Sequence, residues 1–256
     1  MNLLSKRTRS IVAVAALLVL MVSSVTGAAA AGTTDPSLVA YWTFDEGSGT
    51  TANDSSGYGR TATLNNGASF SNAAFPVHKF ADPFALNLVG TSHQYVSAGN
   101  GSINLANTSF TVMAWAKRST TAGKQWVIGY GTNSSRKALV LGFRDNDHVT
   151  CAFFNDDVDT VAGFNSDGVY ASGTYADTNW HHLACTYDLA TRQRVVYVDG
   201  IGWQYTPSVA IQANGTFNIG RVPWGEGYFS GSIDDVRVYN RALSREEIES
   251  LAQGNQ

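Results

Sequence analysis

Hydrophobic and polar residues alternate in short runs along most of this chain, and clusters of Gly, Asn, Asp and Ser separate the runs. Alternation with period two puts every second side chain on one face of a strand. Val, Tyr, Phe, Trp and Thr dominate the runs, and these residues suit a pleated, half-buried surface. The pattern predicts strands near 38–44, 84–88, 94–98, 109–118, 125–130, 138–143, 148–154, 180–188, 194–199, 215–220 and 229–240. "RVVYVDGIGWQY" reads as a hairpin with Asp199-Gly200 in its turn. One helix is predicted, at the C-terminal end. There "SREEIESLA" offers Ser244 as N-cap and Glu247 three residues later, a capping box, with Ile248 and Leu251 free to pack on a sheet. Many short strands without βαβ spacing predict an all-β fold: a two-sheet antiparallel jelly-roll sandwich with a short C-terminal helix.

The last predicted strand, Ile233-Asp234-Asp235-Val236-Arg237-Val238-Tyr239, poses a problem. Strict alternation puts Asp234 on a face with Val236 and Val238, and Asp235 on the other with Ile233, Arg237 and Tyr239. A carboxylate on a valine face is costly to bury without a partner.

The N-terminal residues change the compartment. Lys6, Arg7 and Arg9 precede an apolar run at 11–22, and Ala28 to Ala31 follow as small-residue cleavage sites. Residues 1–31 therefore read as a secretory signal peptide, and 32–256 as one domain for export. Removing the three basic residues of the leader from the chain's 17 Lys+Arg leaves 14 against 20 Asp+Glu, a net charge of −6. An acidic domain of this kind has no electrostatic case for nucleic acid, or for a membrane surface after cleavage. Two cysteines, Cys151 and Cys185, stand in the strand-like runs "HVTCAFF" and "HHLACTY". In an oxidising compartment such a pair reads as one disulfide, the alternative being two buried thiols.

Five ordered segments resemble the laminin G-like, concanavalin A-like jelly rolls of secreted bacterial proteins. They are "LVAYWTFDEGSGTTANDSSGYGRTATLNNGA", "FALNLVGTSHQYVSAG", "SFTVMAWAKRS", "NWHHLACTYDLATRQRVVYVDG" and "FSGSIDDVRVYNRALSREEI", covering about residues 38–252. In such jelly rolls the end of the first strand and an aspartate of the last jointly hold a structural Ca2+. The resemblance implies that role for Asp234 and for Asp45, with Glu46 as the other first-strand candidate. Calcium, a hard cation taking six to eight oxygens, would suit these carboxylates. The alternative is that protein hydrogen bonds or an arginine satisfy Asp234. Asp54 reads as a turn former, and the "NDDVD" cluster (Asn155 to Asp159) as a second, weaker metal candidate.

The fold hosts lectins, adhesins and enzymes, so function must come from a site. The Glu-x-Asp-x-x-Glu signature of laminarinase-like hydrolases is absent. A retaining glycosidase needs two carboxyl groups about 5 Å apart, and no strand presents such a pair. His181 and His182 read as structural, because no carboxylate is placed in sequence to orient an imidazole. Loop aromatics remain. Trp203, Tyr205, Trp224 and Tyr228 lie in or beside "DGIGWQYTP" and "RVPWGEGYFSG", with Arg221 and Glu226 flanking Trp224. Such rings stack on the apolar face of a sugar while polar neighbours orient it. The expectation is a secreted, non-catalytic binding module for a polysaccharide or glycan. The alternatives are a hydrolase or lyase with a nonstandard active site, and an adhesive protein-binding domain.

Overall fold

The computed structural model describes residues 35–72, 82–101, 103–154, 169–205 and 210–255. The predicted leader 1–31 and the Asn155 to Asp159 cluster lie outside them. Strands are numbered in chain order. One antiparallel sheet contains β1 (Leu38–Trp42), β4 (Ser69–Ser71), β5 (Ala85–Leu88), β7 (Phe110–Arg118), β12 (Trp180–Asp188), β13 (Gln193–Val198), β14 (Ile201–Tyr205) and β16 (Gly231–Tyr239). Its order is β14-β13-β12-β7-β16-β5-β4, and β1 pairs the far half of β16, with Trp42 opposite Val236. The first and last predicted strands are thus hydrogen-bonded neighbours. The second sheet contains β2 (Thr51–Ala52), β3 (Ala62–Asn65), β6 (Tyr95–Asn100), β8 (Gln125–Gly131), β9 (Ala138–Phe143), β10 (Val149–Phe153), β11 (Val169–Tyr170) and β15 (Thr216–Ile219). Its order is β11-β10-β9-β8-β15-β6-β3-β2.

The core fills the space between the sheets. Trp42 of the first sheet meets Phe217 of the second with ring centroids 5.6 Å apart, and Phe110 meets Phe153 at 6.0 Å. Cys151 of β10 and Cys185 of β12 are joined across this core, and both are fully buried. The disulfide therefore ties sheet to sheet. The helix α1 (Arg245–Ala252) starts where the capping box predicts. The Ser244 hydroxyl accepts the Glu247 amide, and the Glu247 carboxylate accepts the Ser244 amide. Ile248 packs on the outer face of the first sheet, against a cluster that includes Met113, Tyr197 and Tyr239.

The short strands β2, β3, β4 and β11 were not predicted, because runs of two to four residues carry too little period-two signal. The last strand departs from simple alternation. Against β7, Ile233 faces Ala116 and Asp234 faces Trp115, but Arg237 faces Met113, so β16 carries one extra residue. This is a β-bulge. Asp235 sits at φ 47, a left-handed conformation that Asp tolerates through its short polar side chain. Ile233, Val236 and Val238 all join the inter-sheet core. Asp234 therefore does not share a face with the two valines, as alternation predicted. The bulge resets the parity, and Asp234 emerges on the outer side with Trp115.

Candidate functional site

On the outer face of the second sheet, Trp126, Val140, Ala152 and Val222 form a small apolar cluster against which Trp224 packs. A bulge in β8 makes this possible. Trp126 pairs with Gly142 and Ile128 with Leu141, leaving Val127 as the extra residue. Val127 and Ile128 thus both enter the core while Trp126 faces outward. The segment 221–227 folds over this face. Its turn is held by the Gly225 amide on the Val222 carbonyl at 3.0 Å and the Trp126 amide on the Gly227 carbonyl at 2.8 Å. Gly129 permits the approach, since a Cβ there would lie 2.4 Å from the Arg221 carbonyl oxygen. Gly227 at φ +60 does likewise, since its Cβ would fall 2.2 Å from the Trp126 ring.

Between this segment and the sheet runs a groove of about 120 Å³, bordered by Trp126, Trp224, Phe154, Lys124, Arg144 and Glu226. Phe154 meets Trp224 edge to face at 5.4 Å. Of the predicted residues, Trp224 and Glu226 line it. Arg221 and Tyr228 do not; they brace its wall. Arg221 lies 3.4 Å over the Tyr95 ring and donates to the Tyr228 hydroxyl at 3.1 Å, while Tyr228 packs on His93 at 4.7 Å. Trp203 and Tyr205 belong elsewhere, in β14 at the edge of the first sheet. The Trp203 indole N–H donates to the Ser172 hydroxyl at 2.8 Å, and Tyr205 lies 5.7 Å from the buried Arg194. Sequence leaves Trp126 ambiguous between core and site, because the β8 bulge that turns it outward has no signature there; Phe154, Lys124 and Arg144 were missed, since they come together only when hairpins meet.

The second candidate lies on the outer face of the first sheet. Asp234 is fully buried. Its Oδ1 accepts the Asp235 amide at 2.9 Å, and its Oδ2 has no hydrogen-bond partner among the described residues. Burial, and then the charges of Asp82, Asp235 and Asp45, hold its pKa well above the usual carboxylate range. Burial and the Asp82 carboxylate push Asp45 up to about 6. Asp45 Oδ1 accepts the Phe84 amide at 3.4 Å, drawing the end of β1 to the segment before β5. Glu46 is turned to the Asn53 amide through Oε1 at 2.6 Å. Asp82 is the residue that sequence reading missed; its Asp-Pro dipeptide signals a turn, not a ligand. Among the described residues no three His, Cys, Asp or Glu side chains close on a metal position by themselves. Asp54 is the turn former expected, accepting the amides of Tyr41, Ser56 and Arg60 at 2.8 to 3.0 Å.

Asp235 has a different environment. Tyr41 donates its hydroxyl to Asp235, and Arg237 reaches both Asp235 Oδ2 at 3.3 Å and the Tyr41 hydroxyl at 2.9 Å. All three side chains are buried.

A family model for the concanavalin A-like lectin/glucanases superfamily matches residues 90–249. The chain belongs to this superfamily. No curated protein matches this concanavalin A-like chain in sequence. Among solved structures it resembles domain 4 of AbnA, an extracellular arabinanase from Geobacillus stearothermophilus, in complex with arabinotriose. The TM-score is 0.61 at 20% identity, covering 84% of this chain and 98% of that one. It also resembles the binding domain of Paraclostridial Mosquitocidal Protein 1, with TM-score 0.59, 16% identity and coverage of 84% and 52%. The sialidase of Trypanosoma rangeli gives TM-score 0.59, 19% identity and coverage of 86% and 33%. This chain thus spans about half of the toxin domain and a third of the sialidase. At these identities the likeness is one of fold.

The two adjacent histidines of this concanavalin A-like domain behave oppositely. His182 is buried beside Trp115, with ring centroids 5.1 Å apart; burial and then the Arg237 charge lower its pKa to about 3, so it stays neutral. His181 corrects the expectation that no carboxylate would orient it. Its Nδ1 lies 2.8 Å from Asp199 Oδ2 and its Nε2 3.1 Å from Asp177 Oδ1. Burial lowers its pKa, but the two carboxylates outweigh burial and the net shift is upward. With both ring nitrogens held, the imidazolium is a clamp between the 171–179 segment and the β13–β14 turn, and neither nitrogen is left to act as a base. A raised histidine pKa stabilises the fold below the unfolded value near 6.5, and that contribution is lost as pH rises through the folded value. His181→Gln is expected to lower the melting temperature at pH 5.5 by an amount worth about 1 kcal/mol, since its partners are partly exposed. The deficit should shrink at pH 8.5; an equal deficit at both pH values would refute the charged clamp.

Proposed function

We propose that this domain is an exported, non-catalytic carbohydrate-binding module that takes a glycan in the Trp224 groove, and that calcium supports its fold at Asp45, Asp82 and Asp234. The observation that carries the reading is the groove itself: an edge-to-face Trp224–Phe154 pair and Trp126 beside polar groups that suit hydroxyls. The sugar ligand of the arabinanase domain is consistent with it. Among the described residues bordering the groove Glu226 is the single carboxylate, whereas glycoside hydrolysis by two carboxylates needs a second one close by. The second acidic cluster keeps Asp234 fully buried, while Asp45 and Asp82 beside it are only half-buried. A larger depression of about 590 Å³ over the outside of β12–β14 is lined chiefly by Thr, Gln and charged groups. Its one aromatic, Tyr197, is buried, whereas in the groove the half-buried Trp224 and Phe154 offer their rings over the buried Trp126. The leader and an inter-sheet disulfide, a bond that persists in oxidising compartments, support export.

Trp224→Ala is expected to weaken binding of the oligosaccharide found in a glycan-array screen at least tenfold, about 1.4 kcal/mol, by titration calorimetry. Trp203→Ala, on the other sheet, is expected to leave that affinity within twofold. The reverse pattern would move the site to β14.

Calcium fits the donor set. The orphaned Asp234 Oδ2 and the Asp45 and Asp82 carboxylates are hard oxygen ligands; they do not close on one metal position by themselves, so a calcium there would draw the rest of its shell from backbone carbonyls and water. A bound calcium would supply the positive charge that these carboxylates lack. An ion that binds only the native state stabilises it by about 2.7 kcal/mol at a hundredfold excess over Kd. The melting temperature should therefore rise by several degrees from chelator to millimolar calcium. Asp234→Asn should abolish the response and melt higher than wild type in chelator, because it removes a buried charge. Identical melting of the wild type in both conditions would reject the metal.

A further inference from the structure

We infer that Asn218 is a ligand-reading residue of the Trp224 groove, and that the 221–227 segment is a flap that covers it until a glycan lifts it. This rests on the carbohydrate reading of the groove and adds a polar contact and a movement. Ala152, Val140, Gly129, Asn218 and Ser97 form one cross-strand row over β10, β9, β8, β15 and β6. Phe217 and Ile219 enter the core, so Asn218 between them points outward. It stands on the same face as Val140 and Ala152 of the groove, about 10 Å or two strand spacings from Val140. The backbone of Arg221 and Val222 crosses between them over Gly129. A Cβ on Gly129 would fall 2.4 Å from the Arg221 carbonyl oxygen and 2.7 Å from the Val222 Cα. Asn218 is fully buried, and neither its Oδ1 nor its Nδ2 has a hydrogen-bond partner among the described residues.

Two more polar groups are buried without a hydrogen-bond partner along the same segment, the Trp126 indole N–H and the Arg221 Nε–H. A buried amide left unpaired is costly, and packing alone gives no reason to keep an asparagine there. An amide both donates and accepts, which suits neighbouring hydroxyls of one sugar ring. The attachments of the segment permit movement. Its own main-chain bonds are internal, from the Val222 amide to the Glu226 carbonyl at 3.4 Å and from the Gly225 amide to the Val222 carbonyl at 3.0 Å. Among the described residues one main-chain bond ties it to the sheet, from the Trp126 amide to the Gly227 carbonyl. Its neck is closed more firmly: the Phe229 amide donates to the Gly220 carbonyl at 2.8 Å, and the Gly220 amide to the Val127 carbonyl at 2.9 Å. Gly220 at φ +86 and Gly227 at φ +60 stand at its two ends as hinges. Otherwise the flap is seated by Val222 and Trp224 in the Trp126 cluster and by Arg221 over Tyr95. The apolar face of a sugar replaces the first of these contacts as the flap lifts.

Titration calorimetry with the tightest-binding oligosaccharide of a glycan-array screen, together with thermal unfolding, tests Asn218. Asn218→Leu keeps roughly the side-chain volume and removes the amide. It should weaken sugar binding at least tenfold and raise the melting temperature, because an unpaired buried amide is gone. Asn218→Ala, which cannot clash, should also weaken binding at least tenfold, and it decides the matter if the leucine variant does not fold. Native-state hydrogen exchange on the wild type without sugar tests the flap. The Trp126 amide, whose acceptor belongs to the flap, should show a protection factor at least tenfold lower than the Gly220 amide at the neck. Asn218 variants that bind sugar as the wild type does, while Trp224→Ala does not, overturn the role of Asn218 and leave the groove reading standing. A leucine variant that folds but melts lower than the wild type makes Asn218 a structural group satisfied by internal water, and also overturns that role. Equal protection of the two amides overturns the flap. No sugar binding by the wild type overturns the groove reading and the inference with it.

Discussion

Asp235→Ala is expected to lower the unfolding free energy by roughly 3 to 5 kcal/mol, the range for removing one partner of a buried ion pair. Asp235 and Arg237 are both over nine-tenths buried, and Arg237 lies 4.4 Å over the Tyr41 ring. Removing the carboxylate leaves the guanidinium in the interior beside the uncharged hydroxyls of Tyr41 and Tyr239. Pulling Arg237 out to water would open the β1–β16 ladder, because Arg237 is paired with Tyr41 across it. At 2 to 4 °C per kcal/mol for a domain of this size, the melting temperature should fall by about 6 to 20 °C. The double variant Asp235→Ala, Arg237→Leu should recover much of the loss, because it removes the stranded charge as well. Thermal unfolding of the two variants decides the matter. A single variant within 2 °C of wild type would mean that water solvates Arg237 in place. The neighbouring substitution Asp234→Asn should have the opposite sign in chelator. Adjacent aspartates thus separate a charge that is paired from one that is not.

Replacing Cys151 and Cys185 together by Ala is expected to cost about 4 kcal/mol. The sequence separation is 34 residues, and in the chain-entropy account a loop of that length stabilises the fold by roughly this amount. The bond crosses between β10 and β12, so its loss frees the two sheets in the unfolded chain to separate by the full intervening segment. The expected fall in melting temperature is about 8 to 16 °C. Thiol titration of the denatured, unreduced wild type should find no free thiol. A double variant that melts with the wild type would show that packing alone holds the sheets together.

The strands and the helix were largely legible because their signals are local. Period-two runs such as "SFTVMAWAKRS" mark β7, and the Ser244–Glu247 box marks α1 within a residue. The pairing of Cys151 with Cys185 followed from chemistry that needs no geometry, an even pair in an oxidising compartment. The residues that border the groove were legible only in part. Trp224 and Glu226 are near in sequence and stay near in space. Trp203 and Tyr205 resemble them in composition, yet β14 carries them to the other sheet.

The sequence by itself determined the class of the fold, because alternation, turn residues and caps act within a few positions of the chain. Only the tertiary structure decided which way the outward groups point. The bulge at Asp234-Asp235 and the bulge at Val127 each insert one residue, and one residue reverses every face beyond it. The first puts Asp234 beside Asp82 and Asp45 instead of beside two valines, and the second sets Trp126, which sequence leaves ambiguous, against Trp224 on the outer face. Nothing local marks a bulge of this kind, since its stability comes from the neighbouring strands that hold it.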